Sequence, residues 1–192
     1  VAEVNGDSKI GLEDVIYILK EVSASVAPAA LSLTSSAFVD NSAIPKAYAC
    51  NDLGGTNVSP PLSWSNAPDG TQSFVLIMDD PDAPGGTWDH WIVYDIPAAE
   101  SSLVENAGKA DNTLLPDGAT HGLNSFNCDV ACDAFYGGTC PPAGETHNYK
   151  FKLYALDVAE LAPASKDKAG IEVAMDTHIL GQTELTGTYT AP

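Results

Sequence analysis

The chain has 192 residues, 44% of them apolar and 8% aromatic, which is room for one ordinary domain with a small appendage but not for two full domains. Eight basic residues, all of them Lys, face 26 acidic ones and leave a formal net charge of −18. That balance excludes nucleic acid as a natural partner and disfavours an anionic membrane surface. No run approaches the ~18 apolar residues that span a bilayer, so the chain is read as not transmembrane.

In chain order, the first feature is residues 1–22, VAEVNGDSKIGLEDVIYILKEV. EVNGDSKIGLED has the spacing of a twelve-residue calcium loop. Glu3, Asn5, Asp7, Lys9 (through its carbonyl) and Asp14 stand at the ligand positions, and Ile10 at the apolar position between them. Calcium needs six to eight hard oxygen ligands, and this spacing wraps them around one ion. The stretch resembles one half of a dockerin-type repeat, whose loop runs straight into a helix. Here Val15, Ile16, Leu19 and Val22 form one side of a helix over 12–22. Glu3 stands where the repeat has Asp, Ser8 where it has Gly, and only one copy is present. The plainer reading is an acidic turn before an amphipathic helix. Ca2+ at this loop is the one cofactor expected, with none in the main domain.

Residues 23–30, SASVAPAA, have linker composition. The main domain spans 31–192, where short apolar runs alternate with Gly, Pro, Asn and Asp clusters. Residues 73–78, 90–96 and 148–156 read as strands, and 183–190 as a short final one. In 148–156, Tyr149, Phe151, Leu153 and Ala155 share one face, with Lys150 and Lys152 on the wet face. Residues 165–180 read as a helix capped by Ser165, with Ile171, Ala174, Met175 and His178 at helical spacing. The body is therefore expected to be mostly β: a sandwich of antiparallel sheets with a few peripheral helices.

Cys50, Cys128, Cys132 and Cys140 form no C-x-x-C pair. An even count in a chain that reads as secreted, periplasmic or extracellular favours disulfides. Three pairings are open, one of which closes a local Cys128–Cys132 loop and leaves Cys50 for Cys140. A zinc ion held by four thiolates is the alternative.

Two stretches carry the chemistry. The first is Asp79-Asp80-Pro81-Asp82-Ala83-Pro84, followed by Trp88-Asp89-His90-Trp91, between two apolar strands. Prolines there fix where the carboxylates point, and a neighbouring carboxylate is expected to hold the His90 tautomer and favour its proton. Asp79 reads as a turn residue outside the site. The second stretch is Tyr136-Gly137-Gly138-Thr139-Cys140-Pro141-Pro142, then His147 and Tyr149. Its glycine N–H groups are expected to face an anion.

Together with Ser59-Pro60-Pro61-Leu62-Ser63-Trp64 and Gly122-Leu123-Asn124-Ser125-Phe126, these motifs resemble the phosphatidylethanolamine-binding protein family, which includes Raf kinase inhibitor protein. The resemblance runs from about Leu31 to Tyr189 and is nearest to the bacterial and archaeal branch. It implies a β-sandwich with a small site for phosphate-type head groups. Carried over residue by residue, that site comprises Asp80, Asp82, His90, Tyr136, Gly138, Cys140, Pro142, His147 and Tyr149. Three features depart from the family pattern. Residues 127–135 are an insertion holding two cysteines and two aspartates. The sequence stops soon after Tyr189, where animal members carry a helix near the site's mouth. Asn148 stands where the family often has arginine.

With no Arg, bidentate phosphate clamping is unavailable, and the attraction is expected from His90, His147, backbone N–H groups and Tyr136. No nucleophile is evidently paired with a base, and no G-x-S-x-G, H-E-x-x-H or Walker motif occurs. The expectation is therefore a binding module for a small anion or phospholipid head group, not an enzyme. The alternative is a protein partner, most credibly a serine protease inhibited through loops around the site; an esterase- or phosphatase-like enzyme ranks below both.

Overall fold

The run Ser73–Asp80 is too apolar to alternate, and it forms a strand buried along its whole length. A strand of that kind needs cover on both faces. The computed structural model describes residues 11–12, 15–17, 29–109, 111–126 and 135–192, and it supplies both covers. In chain order the strands are β1 (Ser32–Thr34), β2 (Ser42–Ala43), β3 (Leu62–Ser65), β4 (Ser73–Asp80), β5 (Trp88–Pro97), β6 (Ser102–Leu103), β7 (Thr120–His121), β8 (Thr146–Leu156) and β9 (Ile179–Thr190), with helix α1 (Lys168–Met175) before the last. One sheet has the order β1-β3-β6 and the other β2-β9-β8-β4-β5-β7. All pairings are antiparallel except a two-residue parallel match of β2 on β9.

Between the sheets lies the larger core. Leu33, Leu62 and Trp64 of the small sheet meet Phe74, Leu76, Met78, Trp91, Val93, Phe151 and Leu153 of the large one. On the outer face Val75, Ile77, Ile92 and Tyr94 are covered by Ile171 and Met175 of α1. Odd and even residues of β4 thus serve different cores. At its end, Asp79 and Asp80 leave the sheet on opposite faces. The outer face of β8 is less wet than its lysines suggest, because Tyr154 packs against the second core.

Three sequence expectations are corrected. The helix is shorter than 165–180: Asp167, not Ser165, caps it, its carboxylate accepting from Gly170 N–H at 2.9 Å. Ser165 instead packs so tightly beneath Gly170 that a Cβ there would lie 2.1 Å from its carbonyl oxygen. His178 lies beyond the helix, in the turn before β9, where its Nδ1 pairs with Asp157 at 2.8 Å. The last strand begins at Ile179, not at 183, because Gly181 pairs with Ala155 and gives Pro68 the room a side chain would take.

The chain divides into units Val1–Ala30 and Leu31–Pro192. In the first, residues 15–17 are helical and Val15 N–H donates to the Gly11 carbonyl. The expected calcium ligands Glu3, Asn5, Asp7, Lys9 and Asp14 lie outside the described residues, as do Cys128 and Cys132. No described helix is long and apolar enough to cross a membrane.

Cys50 and Cys140 are joined in a disulfide, one of the pairings the sequence allowed, which removes the four-thiolate zinc alternative. The bridge ties together residues 90 apart in sequence. A Cys50→Ser/Cys140→Ser variant is therefore expected to lose about 2–4 kcal/mol of stability, read by urea unfolding. An unchanged midpoint would show that the surrounding hydrogen bonds carry the constraint alone.

Candidate functional site

The end of β4, the start of β5, the start of β8 and the loop before β8 surround a cavity of about 310 Å³. Of the residues expected at the site, Asp80, His90, Cys140, Pro142 and His147 line it. Ala83, Pro84, Gly85, Trp88 and Phe126 complete the wall. Asp82, Tyr136, Gly138 and Tyr149 are not on the lining.

Asp80 and His147 form the polar floor. Both are buried, with Asp80 Oδ2 2.8 Å from His147 Nδ1. Asp80 Oδ1 accepts from Asp82 N–H at 2.9 Å and so closes the turn that leads out of the strand. His147 Nε2 lies 3.2 Å from the exposed Glu145 carboxylate. Carboxylates face both ring nitrogens, so the charged ring donates in both directions. Burial opposes that charge, but the bonds to Asp80 and Glu145 outweigh it and hold the pKa above the ordinary histidine value.

His90 behaves in the opposite way. Its Nδ1 donates to the Gly137 carbonyl at 2.8 Å, and its ring lies edge-on to Tyr149 and Phe126. Burial pushes its pKa down, and neither the Gly137 bond nor the Asp80 charge restores it. The expectation that a carboxylate holds its tautomer and its proton is corrected: a backbone carbonyl holds the tautomer, and the ring is neutral. With Nδ1 protonated, Nε2 is an acceptor.

The remaining expected residues build the wall from behind. Tyr136 is buried in the core and its hydroxyl donates to the Tyr48 carbonyl at 2.9 Å; burial pushes its pKa up. Gly137 N–H donates to the His90 carbonyl and Gly138 N–H to Asn57 Oδ1. A Cβ on Gly138 would come within 2.6 Å of the Ala49–Cys50 backbone, so this glycine is required for packing. The glycine N–H groups and the Tyr136 hydroxyl are therefore committed inside the protein and are not anion donors. Tyr149 accepts from Cys140 N–H through its hydroxyl at 3.2 Å. Asp82 accepts from both the backbone N–H and the side-chain amide of Asn148 at 2.8 Å, which lowers its pKa. The asparagine that stands where the family often has arginine thus holds the aspartate loop to β8.

Sequence reasoning missed Glu145, Trp88 and Phe126. Glu145 lies two residues before His147, the spacing that puts side chains on one face of an extended chain. Trp88 holds the same relation to His90, and Phe126 ends a motif already singled out. Asp79 is no turn residue. It is fully buried on β4, and its Oδ2 meets Lys152 Nζ at 2.8 Å and Lys168 Nζ at 2.6 Å.

The sequence matches the phosphatidylethanolamine-binding protein family over residues 34–190. It is 42% identical over 160 residues to a UPF0098 protein of Methanothermobacter thermautotrophicus, covering 83% of this chain and 98% of that one. A UPF0098 protein of Aquifex aeolicus is 40% identical over 163 residues, covering 84% and 89%. Among solved structures, Escherichia coli YbcL, described as a new member of the mammalian PEBP family, superposes with a TM-score of 0.77 at 35% identity. That match covers 85% of this chain and all (100%) of YbcL.

The raised His147 pKa fixes a sign. The Asp80–His147 pair adds stability that is fully present below the unfolded histidine value and is lost as pH rises through the raised folded value. Asp80→Asn is expected to bring the NMR titration midpoint of His147 down towards the ordinary histidine value and to flatten stability across that window. An unmoved midpoint would mean that the carboxylate is not the source of the shift.

Proposed function

The chain belongs to the phosphatidylethanolamine-binding protein family, and we propose that it is a binding module whose cavity takes the phosphate-like part of a small anion or phospholipid head group. The observation that carries this reading is the arrangement around His147. Its Nδ1–H is fixed on buried Asp80, whereas its Nε2–H is held, among the described residues, by exposed Glu145 at 3.2 Å. A ligand oxygen can take the place of Glu145 with little cost, because the displaced carboxylate returns to water.

His90 supplies the complementary half. As a neutral acceptor it suits a ligand that also brings a hydrogen to donate. Monoprotonated phosphate or a phosphomonoester offers both, an anionic oxygen for His147 and a P–OH for His90; a phospholipid diester has no P–OH and offers His90 a head-group N–H instead. The apolar walls, Pro84, Trp88, Phe126 and Pro142, suit the ester arm of a head group better than water. With the long-range field of a −18 chain opposing an anion, affinity is expected to be modest, with a Kd of roughly micromolar to millimolar. In this reading the two histidines hold a ligand and do not turn it over.

The test is a titration followed by the fluorescence of Trp88 in the cavity wall. Phosphate and phosphoethanolamine are expected to give a saturable change that is weakened at least about tenfold in His147→Gln, a loss of roughly 1.4 kcal/mol. Sulfate, which has no proton to donate, is expected to bind more weakly than phosphate. Binding should fall as pH rises through the raised His147 pKa, where the Nε2–H donor and its charge disappear. No saturable signal at millimolar phosphate, or equal affinity in the His147 variant, would refute the reading.

A further inference from the structure

At the rim of the cavity the pairing of β4 with β5 slips by one residue. Met78 stands opposite Trp91, but the next residue, Asp79, stands opposite Asp89. His90 is the residue passed over, so it forms a bulge with no partner on β4. A bulge of this kind re-aims the side chains around it. Trp91 belongs to the core between the sheets, and strict alternation would send His90 to the outer face, beneath α1. Instead His90 lines the cavity beside Asp80, while Asp89 lies with Asp79 on the outer face.

The slip has an electrostatic consequence. It sets two carboxylates directly across from each other, which is destabilising by itself. Asp79 is fully buried, and its Oδ1 has no hydrogen-bond partner among the described residues. One cation reaches both acids: Lys168 Nζ, from the first turn of α1, lies 2.6 Å from Asp79 Oδ2 and 3.2 Å from Asp89 Oδ1. Lys152 reaches Asp79 at 2.8 Å and belongs to β8, not to the bulged pair. On the cavity side the bulge is tied by the two-way bond between His90 and Gly137.

We propose that Lys168 is a positioning residue of the ligand site: by bridging Asp79 and Asp89 across the pair that closes the bulge, it locks the register that turns His90 into the cavity. Its ion pairs go to Asp79 and Asp89, neither of which lines the cavity. It acts through the backbone of the two strands, from the opposite face of the sheet. Without the cation the two carboxylates repel across the pair that closes the bulge, and the register that holds His90 in the site loses its clamp. The link to binding rests on the cavity being the ligand site argued above; the link to His90 does not.

Lys168→Met, Lys168→Arg and Lys152→Met separate these claims. The first readout is the long-range proton–nitrogen spectrum of the His90 ring, which reports the Nδ1–H tautomer. The second is the phosphate titration. Lys168→Met is expected to lose the His90 tautomer signature and about tenfold in phosphate affinity. Lys168→Arg is expected to restore both, and Lys152→Met to keep the signature. A wild-type His90 spectrum in Lys168→Met overturns the proposal. Should the Met variant not fold, Lys168→Gln, whose amide can still donate to Asp79, serves the same comparison with the same overturning result. If the wild-type protein does not respond to phosphate, the ligand reading fails, and the His90 spectra alone decide the clamp.

Discussion

A carboxylate taken out of water must be paired, and β4 ends in two of them. The strand is covered on one face by the small sheet and on the other by α1, so Asp79 and Asp80 are both buried although they point in opposite directions. An uncompensated buried charge costs several kcal/mol, so each aspartate recruits a cation from a distant part of the chain. Asp80 takes His147 from β8, and Asp79 takes Lys152 from β8 and Lys168 from α1. The cavity and the ion cluster beneath α1 are thus two consequences of one strand end.

The same requirement explains the division of labour between the histidines. His147 sits against carboxylates and carries charge; His90 sits against a backbone carbonyl and aromatic edges and does not. Two rings of one chemical type become a donor and an acceptor through their surroundings alone. The loop 136–142 contributes by rigidity. Its hydrogen bonds to Tyr48, Cys50, Asn57 and Tyr149, with the Cys50–Cys140 bridge, hold one wall of the cavity in place and use up the donors that an anion would otherwise find there.

Much of this was legible in the chain. The unbroken apolar run 73–78 and the alternation of 148–156 gave the sandwich, because burial on two faces and on one face leave different patterns. The ordered motifs gave the neighbourhood of the site, and Asp80, His90, Cys140, Pro142 and His147 do line the cavity. The short strands β1, β2, β6 and β7 left no pattern, since two or three residues are too few to show a period. Tyr136 and Gly138 pack behind the cavity wall and do not line it, and their roles were not legible, because a donor's partner depends on what packs opposite it.

The sequence by itself determined the sandwich, the family and the set of residues gathered at the strand ends, since these follow from periodicity and local motif. Only the tertiary structure decided what each residue does there. The single slip of register at His90 reverses the face of that ring and sets Asp79 against Asp89. No local pattern encodes it, because a bulge is a relation between two strands and depends on what lies above and below both. The same holds for the charge on each histidine: burial and partners come from β8, the 136–142 loop and the far wall of the cavity, and those elements meet only when the sheet is assembled.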